Sequence, residues 1–280
     1  MPEGDTIFRA ARTLHKALAN QIVTGFETVL PRLSRVHEDE PLTGRTVEGV
    51  MSKGKWMSIR FSGGLTLLTH MLMSGSWHIY RPQEKWQRPS RDMRIVLKTE
   101  KIWAVAFNVP VAEFHTDDTL RRRQGFRTLG QDVLAPGFDP AISIAALRAR
   151  GDLLVGEALL SQSVMAGLGN VYKSEVCFAC GVHPFRRVDS LQPGELNCLV
   201  NTARKFLLAN VTDSSGDQIT TYPGMQSAMR NTTRRANTEE RLWVYGRGGE
   251  PCRNCATPIE SRKQGEDART TFWCPQCQPA

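Results

Sequence analysis

The sequence predicts an α+β chain of more than one domain, and three patterns carry that expectation. Apolar and polar residues alternate over short runs between about 45 and 110. From 141 onward apolar residues recur at intervals of three and four, and four of the seven cysteines fall in the last 29 residues. The first pattern belongs to short strands and predicts an N-terminal β-sandwich. The second belongs to packed helices, and the third to a small metal-held module. At 280 residues the chain can build two cores of ordinary size, since domains run to roughly 100 to 200 residues.

Residues 5–19, DTIFRAARTLHKALA, place Ile7, Phe8, Ala11, Leu14 and Leu18 at helical spacing, with Asp5 or Thr6 able to cap the start. They predict a helix flanking the sandwich. Met57, Ile59 and Phe61 then alternate with Ser58 and Arg60, Gly63-Gly64 marks a hairpin turn, and Met93, Ile95 and Leu97 alternate again. The stretch LGQDVLAPGFDP at 129–140 is rich in Pro and Gly and reads as a linker. The expected division is therefore an N-terminal domain at 1–128, the linker at 129–140, a helical domain at 141–243 and a terminal metal-held hairpin at 244–280. Helices are expected at 141–150, 155–164, 168–181 and 193–209, interrupted by GLGN and GVHP. Residues 212–241, rich in Ser, Thr, Asn and Arg, read as a surface loop.

The formal net charge is +8, which favours a polyanionic partner. No window approaches about 18 uninterrupted apolar residues, and the N-terminus has no apolar run of signal-peptide type. A membrane-spanning helix is thereby disfavoured, and a soluble cytoplasmic protein is expected.

Cys252-Arg-Asn-Cys255 and Cys274-Pro-Gln-Cys277 are two C-x2-C pairs separated by 18 residues. Each knuckle aims two thiolates at one point, and two knuckles complete the tetrahedral shell that zinc accepts. Four thiolates leave no open position, so the expected ion is one structural zinc per chain. Two disulfides would instead require an oxidising compartment. Cys177 and Cys180 sit at i and i+3 in an apolar helical stretch and, with Cys198, read as core thiols. Between the knuckles, ESRKQGEDARTTFW predicts a hairpin with Arg269 near its tip or on its return strand. A lone arginine there is either a solvated charge or a phosphate clamp.

GLGNVYKSE at 167–175 opens a helix after a two-glycine turn, where free backbone N–H groups and Asn170 could meet a phosphate. It could equally be a tight corner between helices. The chain begins MPEGDT. Removal of Met1 would leave Pro2 with a secondary α-amine, and α-amines have a pKa of about 7.7 to 8.0 against about 10.4 for lysine. Such an amine can attack an aldehyde carbon and give an iminium, cationic from the outset. Glu3 could donate or accept the proton the reaction needs, although many proteins begin this way without function. Lys55, in SKGKW at 52–56, could hold a phosphate and lower the Pro2 pKa; a strand-edge lysine also guards against edge pairing.

MPEGDT, SKGK, HMLMSGSW, GLGNVYKSE with GVHP, and the four-cysteine terminus occur in the order seen in formamidopyrimidine-DNA glycosylases and endonuclease VIII. The chain resembles that base-excision repair family from end to end. The resemblance implies an N-terminal β-sandwich carrying catalytic Pro2 and Glu3, then a helix-two-turn-helix domain and a zinc-finger hairpin, with damaged double-stranded DNA as partner. It implies Pro2 as Schiff-base nucleophile, Glu3 as the acid in ring opening and proton transfer, and Lys55 as a phosphate-binding lysine. Asn170 and Arg269 correspond to residues that grip the DNA backbone. Leu72 and Met73 fall where the family inserts a wedge behind the flipped nucleotide. A monomer without small-molecule cofactor or membrane contact, associated with a bacterial nucleoid, completes the expectation.

One departure bears on substrate. Formamidopyrimidine-DNA glycosylases carry Asp-Pro-Arg-Arg-Phe-Gly, whereas this chain reads AVAFNVPVAEF at 104–114. That favours the endonuclease VIII branch and oxidised pyrimidines, with removal by the Pro2 amine followed by β,δ-elimination. A purine glycosylase of the 8-oxoguanine type, and a zinc-stabilised reader of damaged DNA without catalysis, are the competing readings.

Overall fold

The computed structural model describes residues 2–211 and 242–280; Met1 and the surface loop expected at 212–241 lie outside the described residues. Contacts divide the chain into two compact units, 1–128 and 129–280.

In the first unit, helix α1 (Gly4–Leu18) buries Ile7, Ala11, Leu14 and Leu18 along one stripe, as the spacing of three and four requires. Two antiparallel four-stranded sheets follow. One runs in the order β1 (Val23–Thr28), β6 (Met93–Thr99), β7 (Trp103–Phe107), β5 (Ser76–Tyr80); the other in the order β2 (Val47–Lys53), β3 (Trp56–Phe61), β4 (Leu65–His70), β8 (Val111–Thr116). Met57, Ile59 and Phe61 of one sheet and Ile95 and Leu97 of the other share a single buried cluster with the stripe of α1. Alternation in each strand thus sends its apolar set to a common interior, and the sandwich is the expected one. Gly63 and Gly64 lie in the β3–β4 turn, where Phe61 pairs with Leu65. The β2–β3 turn is tighter. Lys53 pairs directly with Trp56, leaving a two-residue loop whose first position, Gly54, has φ +58°, as such hairpin turns need.

The sequence patterns did not reveal β1, β8 or three short helices, α2 (Pro31–Asp39), α3 (Asp117–Arg122) and α4 (Gln124–Arg127). Residues 117–127 have too few apolar side chains for a periodic signal. A reciprocal cap between Thr116 and Thr119 starts α3, which is local chemistry rather than burial.

The second unit begins with a short parallel pair, β9 (Gln131–Asp132) on β10 (Met165–Ala166). Residues 129–140 pack into this unit: Val133, Leu134 and Phe138 are buried, and Arg204 stacks on Phe138 while donating to the carbonyls of Val133 and Ala135. Helices α5 (Pro140–Arg148), α6 (Val155–Leu160), α7 (Asn170–Ala179) and α8 (Pro193–Ala209) follow, then a hairpin of β11 (Glu260–Gln264) and β12 (Arg269–Trp273). Asp139 caps α5 by accepting from the N–H of Ala141.

One expectation is corrected. Cys180 and Cys198 are joined in a disulfide between the end of α7 and α8, with Cα atoms 5.8 Å apart. The pair is separated by the GVHP turn, so each cysteine taken alone resembles helix packing. Cys177 is a buried thiol as expected, and burial pushes its pKa up to about 12, which makes it inert. Among the described residues no helix is long and apolar enough to cross a membrane.

Candidate functional site

The N-terminus enters α1 directly. Glu3 occupies the N-cap position in extended conformation and its side chain is fully buried, next to half-buried Pro2. The Glu3 side chain thus stands at the first turn of α1, the positive end of the helix macrodipole. The residue after the nucleophile candidate is therefore fixed by the helix start. α1 packs against β2, the strand that leads to the turn carrying Lys55.

Around that turn the first unit assembles a cluster that sequence reading only partly anticipated. Trp56, immediately after Lys55, meets the ring of His70 edge-on with centroids 4.7 Å apart. The Arg123 guanidinium lies 4.1 Å from the Trp56 ring centroid and forks onto Glu113, with Nε to Oε2 2.8 Å and Nη2 to Oε1 3.0 Å. Arg is suited to both contacts at once, since its planar head stacks and chelates. The Arg123 fork, joined by a hydrogen bond from His115, holds the Glu113 carboxyl at about 2 against the opposing effect of burial. Burial first, then Lys55 and then Arg123, push His70 down to about 4. His70 is thus neutral at physiological pH, and its Nδ1 accepts from the N–H of Leu72 at 3.1 Å.

That hydrogen bond connects the cluster to the exposed pair expected as a wedge. Leu72 and Met73 are 45% and 63% exposed, and Leu72 has φ +46°, a conformation uncommon outside glycine. The loop closes through Gly75 N–H to the carbonyl of Met71 at 2.9 Å. A Cβ on Gly75 would stand 2.7 Å from that oxygen, so only glycine fits. Two large apolar side chains are presented to solvent on a backbone locked at both ends.

The second unit brings together the other expected contacts. Asn170, the first residue of α7, donates its side-chain amide to the Thr270 carbonyl at 2.8 Å, beside Arg269 at the start of β12. Arg269 also lies 3.5 Å from Asp267. Deeper in α7, buried Lys173 donates to Thr271 Oγ1 at 2.6 Å; Thr271 donates to Gln264 Oε1, and Gln264 Nε2 donates to the carbonyl of Pro184 in GVHP. Glu175, also fully buried, accepts from the backbone N–H groups of Trp243, Val244 and Tyr245. These charged residues of GLGNVYKSE hold the hairpin on the helix. Their spacing gave no such signal, because both look like ordinary surface charges in a helix.

The four cysteines of the two knuckles converge, with Cys252 and Cys277 sulfurs 3.9 Å apart, Cys255 and Cys274 3.4 Å, and Cys255 and Cys277 3.5 Å. Thiolates about 2.3 Å from a tetrahedral zinc lie about 3.8 Å from one another. The geometry therefore fits zinc. The backbone N–H of Asn254 faces the Cys252 sulfur and that of Cys277 faces Cys274, which stabilises charge on the ligands. The module holds one structural zinc.

Residues 1–111 match the model of the formamidopyrimidine-DNA glycosylase N-terminal domain, 129–221 that of the corresponding H2TH domain, and 249–280 that of a zinc finger found in FPG and IleRS. A probable endonuclease 8 2 of Streptomyces coelicolor is 38% identical over 99% of this chain and 94% of its own length. A DNA-(apurinic or apyrimidinic site) lyase Nei2 of Mycolicibacterium smegmatis is 35% identical over the full length of both chains. The Lactococcus lactis Fpg, solved in complex with DNA containing an abasic site, shares the fold with a TM-score of 0.81 at 23% identity, covering 99% of this chain and 100% of that one. With matches along both units and identities of this size over whole chains, the protein belongs to the formamidopyrimidine-DNA glycosylase and endonuclease 8 family.

Proposed function

We propose that this protein removes oxidised bases, pyrimidines foremost, from double-stranded DNA through a Schiff base on Pro2 and then cuts the strand by β,δ-elimination. The broader class is that of its relatives: a glycosylase and AP lyase of base excision repair. The observation that carries the specific reading is the buried Glu3 beside Pro2 at the start of α1. In this scheme the Pro2 amine attacks C1′ as the base departs, Glu3 supplies a proton during sugar-ring opening, and the resulting iminium draws electrons from the C2′–H bond to expel the 3′ phosphate. A second elimination expels the 5′ phosphate, and water releases the enzyme.

Lys55 holds a phosphate near the lesion, with neutral His70 behind it. Leu72 and Met73 fill the gap in the base stack, a task for which exposed apolar groups on a fixed loop are suited. Asn170 and Arg269 grip the backbone from α7 and β12. The pyrimidine preference is supported by the stretch 104–114, which carries no arginine-phenylalanine pair to fill a void in DNA. The protein acts as a cytoplasmic monomer on nucleoid DNA, its three domains being the 1–128 sandwich, the 141–243 helix-two-turn-helix domain and the 244–280 hairpin, with the 129–140 linker after the first.

Borohydride trapping on duplexes carrying an oxidised pyrimidine, an 8-oxoguanine or an abasic site tests this reading. Trapping strongest on the pyrimidine and abasic substrates, at the Pro2 nitrogen of a chain lacking Met1, is the expected result. Preference for 8-oxoguanine overturns the pyrimidine assignment; binding without trapping makes the protein a reader of damage rather than an enzyme.

A further inference from the structure

The segment DDTLRRRQGFR, residues 117–127, has no role in the scheme above, yet it is fastened to both sides of the Lys55 turn. Before the turn, the Lys53 ammonium lies 4.8 Å over the ring of Phe126 in α4. After it, Arg123, between α3 and α4, stacks on Trp56 and forks onto Glu113 of β8. Asp117 is engaged by Arg60 of β3 at 3.2 Å. Of the four arginines, only Arg123 has an internal ionic partner. Arg121, Arg122 and Arg127 are exposed and make no ion pair among the described residues.

We propose that α3 and α4 form an additional phosphate-binding element that grips the DNA backbone next along from the phosphate assigned to Lys55. The inference rests on the DNA role of Lys55 given above. Three features support it. The anchoring contacts involve cations on aromatic rings and a chelated arginine, so the segment is positioned rather than merely solvated. The free cations lie on two helical pieces flanking those anchors, Arg121 and Arg122 ending α3 and Arg127 ending α4, enough to neutralise about two or three phosphates. Arginine, unlike lysine, offers each phosphate a fork of donors. A solvated helix would have no need of the cost of fixing Arg123 and Lys53 beneath it.

The test is a salt titration of affinity, by fluorescence anisotropy, for a duplex carrying a non-cleavable abasic analogue. The Arg121→Ala, Arg122→Ala, Arg127→Ala triple variant should lower the slope of log Kd against log salt by about two to three, and weaken binding at least tenfold at low salt. The matching triple replacement by Lys should recover most of the slope, since lysine still neutralises phosphate, and a thermal melt of both variants reports whether they fold. An unchanged slope in the folded Ala variant overturns the proposal, as does a Lys variant no better than the Ala one. Should the unmodified protein fail to be trapped on abasic DNA, the functional reading fails instead, and the two failures are told apart.

Discussion

The side-chain amide of Asn170 donates to the Thr270 carbonyl at 2.8 Å, which makes the start of α7 and the start of β12 a single surface. The two expected backbone contacts, Asn170 and Arg269, therefore cannot move independently. Arg269→Ala should weaken binding to all sequences alike and reduce the salt slope by about one. Asn170→Asp sets a carboxylate against the Thr270 carbonyl and should cost about tenfold or more in affinity, as expected for a buried polar group that loses its partner. Anisotropy titrations at several salt concentrations measure both; a change in lesion preference without a change in slope would contradict the Arg269 assignment.

In the proposed scheme Glu3 separates the two chemical steps. General acid help is typically worth about 100- to 10,000-fold, and excision of a base needs it more than elimination at an abasic site whose base is already gone. Glu3→Gln should abolish removal of an oxidised pyrimidine and leave appreciable Pro2-dependent nicking of abasic DNA. Paired gel assays on the two substrates decide the matter. Equal loss on both, with trapping also gone, would make Glu3 a group that positions the amine.

Neutral His70 gives a signature in solution. Its folded pKa of about 4 lies below the unfolded value of about 6.5, so the unfolded chain binds more protons between those values. The stability this group contributes is complete above the unfolded value and is lost as pH falls from about 6.5 toward 4. Nitrogen-detected NMR should find the ring neutral at pH 6 with its proton on Nε2, because Nδ1 accepts from Leu72. Arg123→Gln should raise the pKa by removing one of the two cations. A ring that is already charged at pH 6 would refute the arrangement.

Zinc holds the hairpin, not the chemistry. Elemental analysis should give one zinc per chain, and Cys274→Ser should lower both zinc content and the melting temperature while weakening DNA affinity. If metal-free protein bound DNA with unchanged affinity, the hairpin would not be part of the interface.

What could be read from the sequence was what local rules determine. The Gly63-Gly64 turn, the stripe of α1 and the two C-x2-C knuckles each depend on residues a few positions apart, and each formed as read. The Arg123 stack on Trp56 joins residues far apart in the chain, and no spacing rule could pair them. The Cys180–Cys198 bond was hidden for the same reason. For α3 and α4 the difficulty was different, since a basic run without apolar periodicity looks like loop until its anchors are known. Pro2, Glu3, Lys55, Leu72, Met73, Asn170 and Arg269 were named through order and motif, but the residues that brace Trp56, the Leu72 loop and the hairpin, His70, Glu113, Arg123, Lys173 and Glu175, have ordinary polar side chains that no local pattern singles out.

Glu175 receives the amides of three successive residues, Trp243, Val244 and Tyr245, while two residues earlier Lys173 is buried against Thr271. A zinc finger is often treated as an interchangeable cassette, but here its seat is lined with two fully buried charges of opposite sign. Cutting the chain before residue 243 would remove the partners that Thr271 and residues 243–245 give these two buried side chains, and breaking such buried polar contacts is strongly destabilising. Hybrid enzymes made by swapping the terminal module between relatives should therefore carry α7 with it, and the natural seam for recombination lies upstream of Gly167 rather than at the first cysteine.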